Sequence, residues 1–456
     1  MNLCVCILAA GQGKRMYSRL PKVLHRIAGK PLVGHVLDAA AVLTDSLPVV
    51  IYGHGGGQLK DYYADRSVVW IEQREQLGTG HALQQALPAL PAEALILILY
   101  GDVPLLSVET LRKLLDAAAS GFSLLTVRLA DPSGYGRIIR DQDGHIARIV
   151  EHKDATSAEL TINEVNTGIM AVQGRLLHQW LPRLGNQNAQ GEYYLTDCVE
   201  MAVESGLQII GVETQDPTEV TGVNNRLQLA ALERAYQRAE AERLMSGGVT
   251  LMDPARLDVR GKLSCGQDVL IDINAVFIGE VSLGDGVVIG PNCVITSSTL
   301  EAGVEVFANT VIDNAQIGRG ARIGPFARIR PETILGDDVH IGNFVEIKKS
   351  EIRSGSKVNH LSYVGDADIG RAVNVGAGTI TCNYDGGHKH KTVIEDDVFI
   401  GSDTQLVAPV TVGRGATIGA GTTVTENVEP GRLVISRVRQ KSIAGWQRPR
   451  KPQNAQ

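Results

Sequence analysis

One segment near the start of the chain carries residues suited to holding phosphate. Leu8-Ala9-Ala10-Gly11-Gln12-Gly13-Lys14-Arg15-Met16 follows an apolar run, and Lys22 comes shortly after it. Small residues let backbone N–H groups approach phosphate oxygens, while Arg15 and Lys22 supply positive charge. The segment is neither a Walker A sequence nor a Rossmann GxGxxG turn. Further on, Tyr100-Gly101-Asp102 closes the apolar stretch ALILILY. A carboxylate there either caps a turn or ligates a metal that serves a nucleotide's phosphates. Both readings stay open on this evidence alone.

The second half offers different chemistry. Lys348, Lys349, His360 and Tyr363 share one interval, and Thr381-Cys382-Asn383-Tyr384-Asp385-Gly386-Gly387 leads to His388 and His390 in another. A histidine in a loop is more often a solvated surface group than a base. His388-x-His390 lacks the further spaced ligands that a metal site needs.

Two kinds of scaffold must position these groups. In the first half, strand candidates at Val5–Leu8, Val49–Tyr52, Val68–Ile71, Ala94–Tyr100 and Ser123–Leu129 alternate with helical stretches at Val33–Ala41, His81–Ala86 and Val108–Ala119. That alternation predicts a mostly parallel sheet with helices on both faces and ligands beyond the strands' carboxyl ends. In the second half, aliphatic-Gly pairs recur at residues 283, 289, 317, 323, 335, 341, 369, 375, 400, 412 and 418. Steps of six and twelve dominate, which predicts a parallel β-helix of hexapeptide repeats over about 271–424, with some 18 residues per coil. The longer steps read as interruptions, and chemistry is expected there because a regular solenoid presents a smooth wall. Asn225–Ser246 has no Gly or Pro and predicts one bridging helix, stopped by Gly247-Gly248. The resulting division is 1–226, a linker helix over 227–247, and 248–456. The tail after Arg437 is basic, and its end at 451–456 is expected to be disordered.

Composition excludes several classes. Hydrophobic residues at 44% and charged residues at 21% describe a folded chain. A net charge of −6 gives no support to nucleic-acid binding or a polybasic membrane anchor. Fifty glycines without a Gly-X-Y period point to many tight turns rather than collagen. The six cysteines are scattered without a CxxC pair, so neither a zinc site nor a disulfide framework is expected. Basic residues follow the first apolar run, the wrong order for a signal peptide, and no apolar stretch reaches 18 residues. The expectation is a cytoplasmic chain with no membrane insertion.

Together the motifs form a recognisable set. Leu8–Met16, Pro21-Lys22, Gln73 before Leu77-Gly78-Thr79-Gly80-His81-Ala82, and Tyr100-Gly101-Asp102 resemble the sugar-1-phosphate nucleotidyltransferases. Gly134-Tyr135-Gly136-Arg137, Val150-Glu151-His152-Lys153, Asn166-Thr167-Gly168 and Gly222-Val223-Asn224-Asn225 extend the match. With the β-helix attached, nearly the whole chain resembles a bacterial family of bifunctional UDP-N-acetylglucosamine-forming enzymes. Its members are both N-acetylglucosamine-1-phosphate uridyltransferases and glucosamine-1-phosphate N-acetyltransferases.

The resemblance implies a Rossmann-like α/β nucleotidyltransferase domain, a bridging helix and a left-handed parallel β-helix. It implies that Leu8, Ala9, Ala10, Gly11 and Lys22 hold the nucleotide and its phosphates, with Arg15 adding catalytic charge and Gln73, Gly78 and Thr79 on uracil and ribose. Tyr100, Gly101, Gly136, Glu151 and Asn166 would hold the sugar, and Asp102 and Asn224 one Mg²⁺. In the β-helix it assigns His360 as general base and places Arg330, Lys348, Tyr363 and Asn374 around glucosamine-1-phosphate. Asn383 and Tyr384 would flank the approach of acetyl-CoA, with Ala377, Ser402, Ala420 and Arg437 along its groove. The resemblance also implies UTP and acetyl-CoA as cosubstrates, a homotrimer that shares its acetyl sites, and a product that feeds peptidoglycan and lipopolysaccharide synthesis. The alternative is a sugar-1-phosphate nucleotidyltransferase whose β-helix serves only oligomerisation or regulation. The residues in the β-helix's irregular intervals weigh against it.

Overall fold

The computed structural model describes residues 2–53, 55–437 and 439–448. The chain forms two compact units, 1–240 and 241–456. The division falls inside one long helix, Arg226–Ser246.

The first unit is built on nine strands. They are β1 (Leu3–Ala9), β2 (Val49–Tyr52), β3 (Val69–Glu72), β4 (Leu95–Tyr100), β5 (Phe122–Arg128), β6 (Arg137–Arg140), β7 (Ile146–Val150), β8 (Glu164–Gln173) and β9 (Ile210–Thr214). The main order is β9-β5-β8-β4-β1-β2-β3. β1 lies between β4 and β2, parallel to both. Its sequence LCVCILA is apolar throughout because both faces are covered. Cys4, Cys6 and Leu8 enter one core, while Val5, Ile7 and Ala9 enter the other. Helices α1 (Leu32–Leu43) and α3 (Val108–Ala117) cover the second face, and α2 (Thr79–Ala86), α4 (Gly174–Trp180) and α5 (Asp197–Glu204) cover the first.

The sheet departs from a simple parallel one at β8, which runs antiparallel to both β4 and β5. Its register shifts between Asn166 and Met170, and the intervening Gly168 has φ of 81°. That irregularity lays Gly168 against the Tyr100 ring, where no Cβ would fit. Bulges of this kind commonly re-aim side chains beside functional sites.

The second unit is a left-handed parallel β-helix. The repeated aliphatics point inward: Leu283, Ile289, Ile317, Ile323, Leu335, Ile341, Ile369, Val375, Ile400, Val412 and Ile418 are all buried in one continuous core. The glycines that follow them answer to close approach. A Cβ on Gly401 would lie 2.5 Å from the backbone nitrogen of Ala420 on the next coil.

One expectation needs correction. The interval between Ile341 and Ile369 is not an interruption, because His340 pairs with Lys357 and Asn343 with His360 on an ordinary coil. Val358 takes the inward place and Asn359 stands where glycine would, so the pair motif is hidden while the fold continues. Val306-Phe307 hides a coil between Ile289 and Ile317 in the same way. The largest insertion in this ladder is the segment that makes Asn374 pair with Phe399. It carries Asn383 through Lys391, closed by an antiparallel bridge between Tyr384 and Lys389.

Cys4, Cys6, Cys198, Cys293 and Cys382 are free thiols, and burial pushes the Cys198 thiol up to about 12 and the Cys293 thiol to about 11. Among the described residues no helix is long and apolar enough to cross a membrane. The tail segment 451–456 lies outside the described residues.

Candidate active sites

A cleft of about 320 Å³ opens beyond the carboxyl ends of β1, β3 and β4. Its lining includes Leu8, Ala9, Ala10, Gly11, Lys22, Gln73, Gly78, Thr79, Tyr100 and Asp102. Ten residues from four sequence motifs therefore converge, as ligands do in open α/β sheets. Gly13 has φ of 61°, and a Cβ there would press on the Lys22 side chain at 2.8 Å. The loop thus wraps Lys22 because position 13 has no side chain.

The strongest convergence is electrostatic. Lys22 Nζ lies 2.5 Å from Asp102 Oδ2 and donates to Asn224 Oδ1 at 3.2 Å. The Lys22 and Asp102 side chains are only 12% and 15% exposed. Backbone bonds hold the group in place: Gly101 N–H donates to Leu8 O, and Val223 N–H to Asp102 O. The Asn224 N–H donates to the Gln228 side chain at the start of the long helix.

At one end of the cleft, Gln73 is buried and its Nε2 donates to Gly78 O and to His81 Nδ1. The segment around Tyr193 and Leu195 clamps this turn, with Leu195 N–H donating to Thr79 Oγ1. On the other side, Asn166 N–H donates to Gly136 O, and Asn166 Oδ1 accepts from Gly168 N–H. A Cβ on Gly136 would sit 3.4 Å from the Glu151 carboxylate, which accepts a hydrogen bond from Thr196. Gly101, Gly136, Glu151, Asn166 and Asn224 join the cleft through such neighbours rather than by lining it. Arg15 is exposed on a short turn over Lys14–Met16, outside the lining set. Gln12 and Ala82, which stand in the quoted motifs without an assigned role, also line the cleft, and so do Val23, Gln76 and Glu192, which sequence reasoning missed. Glu192 sits in a stretch with no periodic or motif signal.

Acidic groups crowd one wall. Burial pushes the Glu151 carboxyl above its usual range, Asp154 and Glu192 push it further, and the Thr196 hydroxyl opposes them. Asp197 rises to about 6, chiefly through burial and then through Glu200, Glu151 and Asp154. Its folded value exceeds its unfolded one, so the native state binds more protons between about pH 4 and 6 and stability falls as pH rises through that window. Asp197→Asn is therefore expected to raise the thermal midpoint at pH 7 but not at pH 4.5. Melting curves with the same difference at both values would refute this.

In the β-helix, coil-to-coil bonds stack a second set. Leu361 N–H donates to Asn343 O, Gly378 to His360 O, Asp403 to Ala377 O, and Gly421 to Ser402 O. Arg437 reaches Ala420 O with a guanidinium nitrogen at 3.3 Å. His360, Ala377, Ser402, Ala420 and Arg437 thus follow one edge. Asn343, which sequence reasoning missed, lies 3.0 Å from His360 Nδ1 through its side-chain oxygen. Asn374 lies on the adjoining face, paired with Lys357 and Phe399.

Across the Leu361-Ser362 corner, a polar group gathers. Arg330 donates to Glu346, Asn383 to Asp366, and the Lys348 ammonium lies beside Lys389, which lowers its pKa. Tyr363 and Asn383 both crowd Gly365, and the charge of Lys389 responds to Tyr363. Arg330, Lys348, Tyr363 and Asn383 are therefore brought together, joined by Glu346, Asp366 and Lys389. Tyr384 stands 61% exposed on the inserted loop, its hydroxyl donating to Gly386 O. His390 pairs with Asp385 at 2.6 Å.

Among the described residues, Asp141, Asp143 and His145 are close enough to share an ion. They are exposed on the β6–β7 turn, where Asp141 already accepts from the Asp143 and His145 amides.

A phosphate-suited cleft on an α/β sheet, followed by a hexapeptide β-helix, defines a nucleotidyltransferase joined to an acyltransferase-type solenoid. Family models agree: residues 5–157 match the MobA-like NTP transferase domain, 259–352 the GMPPB C-terminal domain, and 391–426 the bacterial transferase hexapeptide of six repeats. The chain is 57% identical over 450 residues to the bifunctional protein GlmU of Nitrosospira multiformis, covering 98% of both chains. It is 58% identical over 448 residues to that of Azoarcus sp., covering 98% of this chain and 99% of the relative. The chain belongs to the GlmU family and is a bifunctional transferase.

Proposed function

We propose that the β-helix acetylates glucosamine-1-phosphate from acetyl-CoA and that the cleft transfers uridylyl from UTP to the resulting N-acetylglucosamine-1-phosphate, releasing pyrophosphate. UDP-N-acetylglucosamine is the product. The observation that carries this reading is the meeting of Lys22, Asp102 and Asn224 at the mouth of a phosphate-suited loop. Family membership sets aside the reading of the β-helix as mere scaffold.

Uridylyl transfer brings two anions together, so the site needs positive charge and alignment more than acid–base chemistry. The small residues Ala9, Ala10 and Gly11 present backbone to the triphosphate, and Lys22 supplies charge to its oxygens. Asp102 and Asn224 offer two hard oxygen donors that already converge on one cation, the Lys22 ammonium. This donor set suits Mg²⁺, which Asp102 and Asn224 would hold and which would neutralise charge on the phosphates. Gln73, Gly78 and Thr79 face the nucleoside, and Glu151, Asn166 and Gly136 accept or donate to sugar hydroxyl and acetamido groups. Arg15, exposed on its turn, would add charge to the phosphates.

Acetyl transfer needs a neutral amine. His360 removes the ammonium proton, the amine attacks the thioester carbonyl, and the C–S bond breaks to release the thiol. The Asn343 side-chain oxygen accepts from Nδ1–H, which leaves Nε2 as the proton acceptor. Arg330 and Lys348 hold the sugar phosphate with Tyr363 and Asn374 beside it. Asn383, Tyr384, Ala377, Ser402, Ala420 and Arg437 form the approach for acetyl-CoA. A cytoplasmic location follows from these substrates.

The reading includes a homotrimer with shared acetyl sites. Phe326, Phe344 and Leu361 occupy one corner of successive coils at φ of 56°, 54° and 49°, and are 49%, 57% and 63% exposed. The two rings stack at 5.3 Å. Bulky side chains rarely adopt such φ values, and an apolar column beside His360 is suited to a second copy. Phe344→Glu is expected to give a monomer by light scattering, with acetyl transfer reduced at least tenfold and uridylyl transfer retained. A monomer that still acetylates would sink the shared site. The whole reading is tested by incubating the protein with glucosamine-1-phosphate, acetyl-CoA, UTP and Mg²⁺. Free thiol and pyrophosphate must both appear.

A further inference from the structure

Arg137 opens β6 and is among the largest fully buried side chains, 2% exposed. Among the described residues no carboxylate forms an ion pair with it. Its Nη1 donates to Pro132 O at 2.8 Å and to Tyr135 O, and its Nη2 lies 3.5 Å from His152 Nδ1. Its Nε is buried without an acceptor. A buried cation held mainly by carbonyls is costly, so what those carbonyls belong to matters.

Both belong to one turn. Tyr135 N–H donates to Pro132 O at 3.2 Å, and the turn runs directly into Gly136. It carries two neighbours of the cleft at once. Tyr135 is half-buried and feels the charge of Asp102, while Gly136 lies against Glu151 and accepts from Asn166 N–H. Arg137 itself is clamped between Val150 of β7 and Val165 of β8. The guanidinium therefore links rigid strands to the loop that forms the sugar-facing wall.

We propose that Arg137 is a positioning residue for uridylyl transfer: its buried guanidinium sets the 132–136 turn, and through Gly136 and Tyr135 the seat of the sugar phosphate. It touches neither substrate nor metal. Lysine can replace it only in part, because a single ammonium could meet the two carbonyls that Nη1 holds but lacks the second nitrogen that reaches the imidazole. The inference rests on the reading of Gly136, Glu151 and Asn166 as the sugar pocket.

The test measures uridylyl-transfer kinetics of full-length Arg137→Met, Arg137→Lys and Glu151→Gln, with acetyl transfer followed in the same preparations. The KM for N-acetylglucosamine-1-phosphate is expected to rise at least tenfold in Arg137→Met and to an intermediate value in Arg137→Lys. The KM for UTP should stay within twofold and kcat within about threefold. Should Arg137→Met fail to fold, the charge-retaining Arg137→Lys carries the same comparison. Arginine variants with a lowered melting temperature but both KM values within twofold would make Arg137 purely structural and overturn the proposal. If Glu151→Gln also left the sugar-phosphate KM unchanged, the pocket reading itself would fall. A rise in Glu151→Gln alone would leave that reading standing and remove only the role of Arg137.

Discussion

Asp102→Ala is expected to abolish uridylyl transfer, by at least about 10³-fold, while acetyl transfer in the same molecules stays within twofold. The carboxylate lies 2.5 Å from the Lys22 ammonium and shares that cation with Asn224. Removing it takes away one of two proposed metal donors and leaves Lys22, largely buried, without its counter-charge. Both losses fall on the charge balance that phosphoryl chemistry depends on. Asp102→Asn separates them, because it keeps an oxygen donor but not the charge, and it is expected to lie between wild type and alanine. Pyrophosphate release from UTP and supplied N-acetylglucosamine-1-phosphate reads the first activity, and thiol release reads the second. Normal pyrophosphate release in Asp102→Ala would remove the metal assignment.

The mirror experiment is His360→Ala. Acetyl transfer is expected to fall by about 10²–10⁴-fold, the range for losing a general base, with uridylyl transfer from supplied N-acetylglucosamine-1-phosphate intact. The geometry sharpens the expectation. His360 ends a regular strand, its Nδ1 is held by Asn343, and its carbonyl is fixed by Gly378 of the next coil. An exposed imidazole without such support would contribute little when removed. Residual activity should be recovered in part at high pH, where more of the amine is neutral without help. A variant acetylating at the wild-type rate at pH 7 would return His360 to the surface residues.

The two sites differ in how visible they were. The phosphate loop, Lys22, Gln73 and Asp102 stand in short motifs at strand ends, and a parallel sheet gathers strand ends on one side. Their convergence on one cleft followed from topology alone. Glu192 and Gln76 line that same cleft but carry no spacing signal, because loops from distant positions bring them there. The strands β6 to β9 were likewise unread: Arg137, Arg140 and Arg148 break the apolar pattern of β6 and β7, and the partner of Arg140, Glu164, is supplied from β8. In the β-helix the reverse error occurred. The missing Ile-Gly pair near residue 358 looked like an interruption, yet the coil is regular, and His360 sits on it rather than in a loop.

By itself, the sequence determined the two architectures and the long helix, because periodicity and glycine placement are local consequences of strand and coil geometry, and it named the candidate residues. Only the tertiary structure decided which of those residues meet. That Lys22 stands between Asp102 and Asn224 and that Asn343 steadies His360 are contacts between positions far apart or on different coils, and that the Arg137 guanidinium holds its own turn follows from its burial between β7 and β8. Such contacts depend on burial and on backbone register, which set distances of a few ångströms that spacing along the chain does not encode.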